Sequence, residues 1–184
     1  MIIRSVTVAH VRSHQQSRLD CARDVTILTG ANGSGKTSML EAVSVCSIGK
    51  TFVPVPDTSL IQRGADVCMA TVEAVSDVDV PYRVSVEIRE GQRKRIASTH
   101  GSNLSPRDIL GVMPIVALSP DHKTITFGSP SDRRAFLDAV MAQSSKTVTG
   151  LLFDLRRVLK QRNALLQTDG RGMPAGRGMP WHAP

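Results

Sequence analysis

The sequence predicts an α/β fold with a mixed sheet and a phosphate-binding loop. Residues 30–37, GANGSGKT, fit the pattern G-x-x-x-x-G-K-S/T without a mismatch. An apolar run that is typical of a strand precedes this loop, and apolar residues at helical spacing follow it. Several later segments alternate apolar and polar residues, which is typical of strands with one buried face. The 184 residues, 41% of them hydrophobic, suffice for one domain with its own core.

The first elements surround the loop. β-branched residues predict a strand over 2–11. The run DVTILTG, residues 24–30, is apolar almost without alternation, so we expect a strand that is covered on both faces. Apolar residues then recur at helical spacing and predict a helix from Gly35 to Ser47. Two prolines in the following segment, GKTFVPVPDTSLI, indicate a loop.

The middle of the chain predicts antiparallel strands and a short helix. Segments 67–75 and 82–90 alternate at period two, and the turn EGQRKR leads from the second into RIAST. Residues 105–111, SPRDILG, form a short capped helix in which Ser105 can cap the N-terminus. Residues 113–120, MPIVALSP, are apolar and predict another strand.

Two helices and a low-complexity segment complete the chain. Ser129 is a suitable N-cap, and Asp132 stands where a capping-box acid belongs. A long amphipathic helix follows Ser144 and ends at Gln167. The Gly- and Pro-rich remainder predicts a disordered tail. We therefore divide the chain into an N-terminal lobe (1–144), the start of a helical arm (145–167) and the tail (168–184).

Composition limits the class of protein. The net charge of +7 favours anionic partners such as nucleotides or nucleic acid. No apolar run approaches the roughly 18 residues that a membrane span needs, and the N-terminus is unlike a secretory signal, so we expect a cytoplasmic protein with no membrane partner. Three widely spaced cysteines without a CxxC pair indicate neither zinc nor a disulfide framework, and we expect reduced, mostly buried thiols.

The loop predicts a P-loop protein that binds a nucleoside triphosphate and Mg²⁺. Its glycines let successive backbone N–H groups point inward, and the helix that follows adds a positive N-terminal dipole. Lys36 can reach the β- and γ-phosphates, and the Thr37 hydroxyl can ligate Mg²⁺. The predicted nucleotide-binding residues are Gly30, Ala31, Asn32, Gly33, Ser34, Gly35, Lys36 and Thr37.

No catalytic residue is assigned. Hydrolysis by P-loop enzymes also needs an acid at the end of a buried strand. The run LLFD, which ends at Asp154, imitates this arrangement, but its leucines continue a helical period and Arg156-Arg157 follow. We therefore reject it as the metal-binding strand.

Five stretches resemble the RecF family of bacterial DNA replication and repair proteins, relatives of the ABC-type ATPase heads of SMC proteins. IIRSVTVAHVRSH is similar to the first strand and its Arg12-Ser13 pair, and GANGSGKTSMLEAV to the P-loop and first helix. SIGKTF and LKQRNALL are similar to the next segment and to the start of the helical arm. Residues 119–138, SPDHKTITFGSPSDRRAFLD, are the most specific match. Thr126 and His14 depart from the usual pattern.

The resemblance implies an ABC-type head whose N-terminal lobe is present here. In the family, two heads dimerise around ATP, bind DNA with a preference for junctions between single and double strands, and help to load a recombinase together with other recombination mediators. The resemblance places Arg12 near the nucleotide and residues 119–121 in a metal- or water-sensing loop. It stops near residue 167, before the signature and Walker B motifs, so we expect a truncated chain that binds ATP weakly and hydrolyses little or none alone.

Several alternatives stay open. The cations of the turn REGQRKR, residues 89–95, either are solvated or neutralise DNA phosphates. Arg133 and Arg134 contact DNA, are solvated, or pair with Asp132 and Asp138. Besides a RecF-type repair ATPase of the SOS DNA-damage response, the chain fits a non-catalytic DNA-binding module or a non-functional gene fragment.

Overall fold

A six-stranded antiparallel sheet organises the described part of the chain, residues 1–119 and 126–169 of this computed structural model. The strand order is β2-β1-β3-β4-β5-β6. The strands are β1 Ile2–Val11, β2 His14–Asp20, β3 Val67–Val75, β4 Pro81–Arg89, β5 Arg95–Ser98 and β6 Gly101–Leu104. The helices are α1 Lys36–Ile48, α2 Pro106–Ile109, α3 Pro130–Ser144 and α4 Lys146–Asp169, with a 3-10 turn at Asp57–Leu60.

One face of the sheet packs against α1 and forms the core. Alternate residues of β1, β3 and β4 point into this core, as the period-two pattern predicts. Val8, Val72 and Val84 are fully buried beside Val45 and Cys46 of α1. The core is aliphatic, and it fixes α1 across the middle of the sheet.

The cysteines are free thiols, as expected. Cys46 and Cys68 are buried and Cys21 is half-buried. Burial raises the pKa of Cys46 to about 12 and that of Cys68 to about 11. Both buried thiols therefore stay protonated and inert at neutral pH.

Two strand predictions are wrong. Residues 24–30 and 113–119 have no regular structure, and Pro120 lies outside the described residues. Met113 is buried and Leu28 packs against the core, but other apolar side chains of these segments are exposed, at 71% for Val25, 78% for Ile27 and 80% for Leu118. A strand needs a neighbour to pair its backbone groups, and the described sheet ends at β2 and β6 without reaching either segment.

Two short strands were missed. Among residues 1–119 and 126–169, β2 is polar and pairs only with β1, and β6 pairs only with β5. Neither carries the alternation that predicts a buried face, because each lies at an edge of the sheet and is largely open to solvent. β2 forms because the two-residue connection Arg12-Ser13 returns the chain directly along β1.

The helix predictions are confirmed. Ser105 and Ser129 are N-caps, and each takes part in a capping box with the acid three residues later. The long helix α4 ends at Asp169, two residues beyond the expected end. The predicted tail otherwise lies outside the described residues, and the division into lobe, arm and tail stays a prediction. None of the helices in residues 1–119 and 126–169 combines the length and apolar content of a membrane span.

Candidate phosphate-binding site

The glycine loop of residues 30–35 leads straight into α1. Gly30, Gly33 and Gly35 have φ values of 150°, 82° and 91°. The last two lie in the left-handed region, which only glycine adopts without strain. Gly35 is the N-cap of α1, and its carbonyl accepts the Met39 N–H at 3.2 Å. The first amides of α1 therefore lack helical partners and stand at the positive end of its dipole.

Lys36 lies across the loop rather than in solvent. Its Nζ donates to the carbonyls of Gly30 at 2.8 Å and Ala31 at 2.7 Å. Thr37 follows on the exposed first turn of α1. An ammonium, a hydroxyl and free helical amides thus occupy one short stretch. This donor set fits a triphosphate with its divalent cation.

The β1–β2 turn closes the other side of the loop. The His14 Nε2 lies 3.1 Å from the Gly35 carbonyl oxygen, and its Nδ1 lies 2.9 Å from Ser17 Oγ. A β-carbon on Gly35 would stand 2.2 Å from His14 Nε2 and 2.8 Å from Ser13 Oγ. Sequence reasoning treated His14 only as a departure from the family pattern. Its position beside Arg12-Ser13 was the available signal.

An ion pair between half-buried Arg12 and fully buried Glu41 ties the same turn to α1. Glu41 is 0% exposed, and its Oε1 accepts from Arg12 Nη2 at 2.7 Å and from Thr51 Oγ1 at 2.9 Å. Arg12 has a φ of 50°, a strained value for a residue with a side chain. Within the described chain, Glu41 Oε2 and Arg12 Nε are buried without a hydrogen-bond partner. Residues from three family-like stretches therefore meet beneath the loop, and the placement of Arg12 near a nucleotide stays a prediction.

The cations of the basic turn between β4 and β5 differ in whether they have an acidic partner. Lys94 Nζ donates to the Gly49 carbonyl and pairs with Asp57, so Lys94 holds the C-terminal end of α1. Arg89 lies 3.8 Å from Glu87. Arg93 and Arg95 are exposed and make no ion pair within the described residues.

The described residues show no salt bridge of Arg133 or Arg134 with Asp132 or Asp138, which was one of the open alternatives. Arg133 Nη1 donates to the Gly128 carbonyl at 3.0 Å. Asp132 caps its own helix through Ser129, and Asp138 pairs with Arg156 at 3.2 Å.

Two further predictions concern acids. Asp154 lies in the middle of α4, which confirms that LLFD is not a strand. Pro120 and Asp121 of the expected sensing loop lie outside the described residues.

Comparison with known proteins decides the family. A family model described as an AAA domain matches residues 5–134. The chain belongs to the AAA domain family. The chain is 36% identical over 179 residues to DNA replication and repair protein RecF of Cutibacterium acnes, covering 96% of this chain and 45% of that protein. The RecF of Prosthecochloris aestuarii is 32% identical, with 95% and 48% covered. This AAA domain chain spans about half the length of the curated relatives it matches.

Two solved structures share the fold of this chain. A structure of the recombination mediator protein RecF with ATP in the RecFOR pathway is similar to this chain with a TM-score of 0.84 at 23% identity, covering 95% of this chain and 47% of that one. An SMC ATPase matches with a TM-score of 0.61 at 18% identity, covering 76% of this chain and 99% of that one. The expected resemblance to the N-terminal portion of RecF is confirmed. So is the fold class of an ABC-type P-loop head, N-terminal lobe.

Proposed function

We propose that this AAA domain is the nucleotide-binding lobe of a RecF-type DNA replication and repair protein. Residues 30–37 would hold the phosphates of ATP, and Thr37 would ligate Mg²⁺. The observation that carries the proposal is the position of the Lys36 ammonium over the loop, directly before the free amides of α1. Relatives of this chain are named DNA replication and repair proteins, and similar RecF structures are described with ATP.

The residues of the loop have separate tasks in this proposal. The amides of the first turn donate to phosphate oxygens, and the dipole of α1 stabilises their negative charge. The Lys36 ammonium binds β- and γ-phosphate oxygens through its one free N–H donor and through donors that leave the Gly30 and Ala31 carbonyls. The Thr37 hydroxyl oxygen binds Mg²⁺, which neutralises charge on the same phosphates.

Binding of labelled ATP tests this proposal. Wild type should retain the nucleotide in a filter assay with Mg²⁺. Lys36→Ala should weaken binding by about 10-fold or more, since it removes charged hydrogen bonds. Lys160→Ala, which removes one lysine from the exposed face of α4, is the matched control and should bind as wild type does. Equal retention by Lys36→Ala and wild type would refute the proposal.

Hydrolysis by this chain alone should be slight. No acid ends a buried strand among the described residues, and the one candidate, Asp154, lies in a helix. Phosphate release should therefore be the same for wild type and Lys36→Ala. A clear excess from wild type would contradict this expectation.

DNA is the proposed macromolecular partner, specifically single strands and junctions between single and double strands. The net charge is +7, and Arg93 and Arg95 are free to contact phosphates. Arg93→Ala/Arg95→Ala should weaken binding to a labelled gapped duplex and reduce its salt dependence. An unchanged salt slope would exclude this turn as a contact.

A non-catalytic DNA-binding module is the second candidate, and the same free arginines favour it. Addition of ATP separates the two functions. Junction binding that strengthens with ATP supports the RecF-type function, and binding that ATP leaves unaltered supports the module. Loss of the ATP effect in Lys36→Ala would assign it to the loop.

The remaining expectations concern assembly and integrity. We propose an ATP-dependent homodimer and contact with other recombination mediators during recombinase loading. Light scattering with and without a slowly hydrolysed ATP analogue tests the dimer. A poorly folding gene fragment is the other alternative, and a cooperative thermal transition would exclude it. A cytoplasmic location and a place in the SOS response also stay predictions.

A further inference from the structure

The β1–β2 turn contacts the phosphate loop at one peptide. Two residues of the turn surround Gly35, since its missing β-carbon would stand within 3 Å of both His14 and Ser13. A carbonyl oxygen only accepts hydrogen bonds, so the His14 Nε2 must carry the proton that it donates to Gly35. In the neutral ring, Nδ1 then accepts from the Ser17 hydroxyl. The ring is thus fixed at both nitrogens.

The direction of the Gly35 carbonyl sets the direction of the next amide. The peptide between Gly35 and Lys36 is planar and trans, so its C=O and N–H point in opposite directions. The Lys36 N–H is the first amide of α1. Because His14 holds the carbonyl on its own side, it turns the Lys36 N–H towards the opposite side of the peptide.

We propose that His14 is a positioning residue of the phosphate loop, which orients the Gly35–Lys36 peptide through its Nε2–H. The inference rests on the proposed nucleotide site. It adds to the motif a residue outside it, since His14 precedes Gly30 by 16 positions. It also gives a second reason for a glycine at position 35. A side chain there would collide with the His14 imidazole, in addition to the strain of a left-handed φ.

Three variants test the inference. His14→Phe keeps a ring but removes both hydrogen bonds. His14→Gln keeps an N–H donor at a position comparable to Nε2. His100→Phe is the matched control, because His100 is exposed and its ring lies beside the Tyr82 ring, with the two centroids 5.4 Å apart.

A fluorescent ATP analogue measures the effect on the loop. His14→Phe should weaken its binding by about 3- to 10-fold, the effect of one neutral hydrogen bond. His14→Gln should recover most of that affinity, and His100→Phe should match wild type. Equal affinity of His14→Phe and wild type overturns the inference, and so does equal weakening by His14→Phe and His14→Gln.

Two measurements on the free protein do not depend on the nucleotide. Long-range ¹H–¹⁵N spectra should show the proton of His14 on Nε2. Hydrogen exchange at the Met39 amide, which bonds to the same Gly35 carbonyl, should be faster in His14→Phe and slow again in His14→Gln. A proton on Nδ1 alone, or unaltered exchange, overturns the inference. If wild type binds no nucleotide, the proposed function fails while these two readouts still decide the role of His14.

Discussion

Removal of Arg12 should destabilise the protein far more than removal of its partner. Arg12→Ala leaves the Glu41 carboxylate at 0% exposure, with the Thr51 hydroxyl as its one remaining donor in the part of the chain that the structure describes. Breaking a buried pair in this way costs about 3–5 kcal/mol. Glu41→Leu instead leaves an arginine that is 36% exposed and can turn to water. Its cost should be about 1–2 kcal/mol, mostly for the Thr51 hydroxyl that loses its acceptor.

The double variant decides this reasoning. Arg12→Ala/Glu41→Leu contains neither charge, so it should be more stable than Arg12→Ala alone by about 2 kcal/mol. Urea unfolding followed by circular dichroism gives the free energies of unfolding of the wild type, the two single variants and the double variant. Arg18→Ala is the control, because its pair with Asp20 lies on the surface and its loss should change little. A double variant no more stable than Arg12→Ala would refute the buried-charge account.

Three further predictions follow from single contacts. Gly35→Ala should lower stability by at least about 1–2 kcal/mol through its φ alone, and adding His14→Ala should restore part of the loss in urea unfolding, because it removes the steric clash. Lys94→Met should lower the thermal midpoint by the equivalent of about 1–2 kcal/mol, whereas Arg93→Met should leave it unaltered. The Ser129 hydroxyl and amide hold the pKa of Asp132 below its ordinary value of 3.8. Its contribution to stability is therefore present above that pH and is lost as the pH falls through the lowered pKa, so Asp132→Ala and wild type should converge in acid.

Local signals in the sequence predicted most of the elements correctly. The helical period after residue 35, the capping boxes and the two alternating strands each depend on residues within one or two turns or strands. Such signals do not require the partner of an element to be known. The strands that failed, 24–30 and 113–119, are those whose existence depends on a neighbour. An apolar run indicates that its side chains should be buried, but it does not indicate which element covers them.

The site was predicted in part for the same reason. The motif located residues 30–37 because its members are contiguous. The contacts around it join distant residues, since 29 positions separate Arg12 from Glu41 and 21 separate His14 from Gly35. The family-like stretches contained these residues without indicating that they touch. Only the hairpin between β1 and β2, which was missed, brings the turn to the loop.

The two ends of the phosphate loop are held in different ways. Its exit is fixed by α1 and by the β1–β2 turn at Gly35. Its entrance follows a segment without strand pairing, and there the ammonium of Lys36 bonds to the Gly30 and Ala31 carbonyls. Lys36 has three donors, so two are engaged by the loop and one is left. A phosphate that bonds to more than this one donor must displace the bonds of Lys36 to the Gly30 and Ala31 carbonyls. The binding free energy then contains the gain from the new Lys36–phosphate bonds minus the loss of these Lys36–carbonyl bonds. Pairing of residues 24–30 with a neighbouring strand would hold the entrance independently and release the lysine for the nucleotide, so strand pairing before the loop should strengthen ATP binding without adding a contact to ATP.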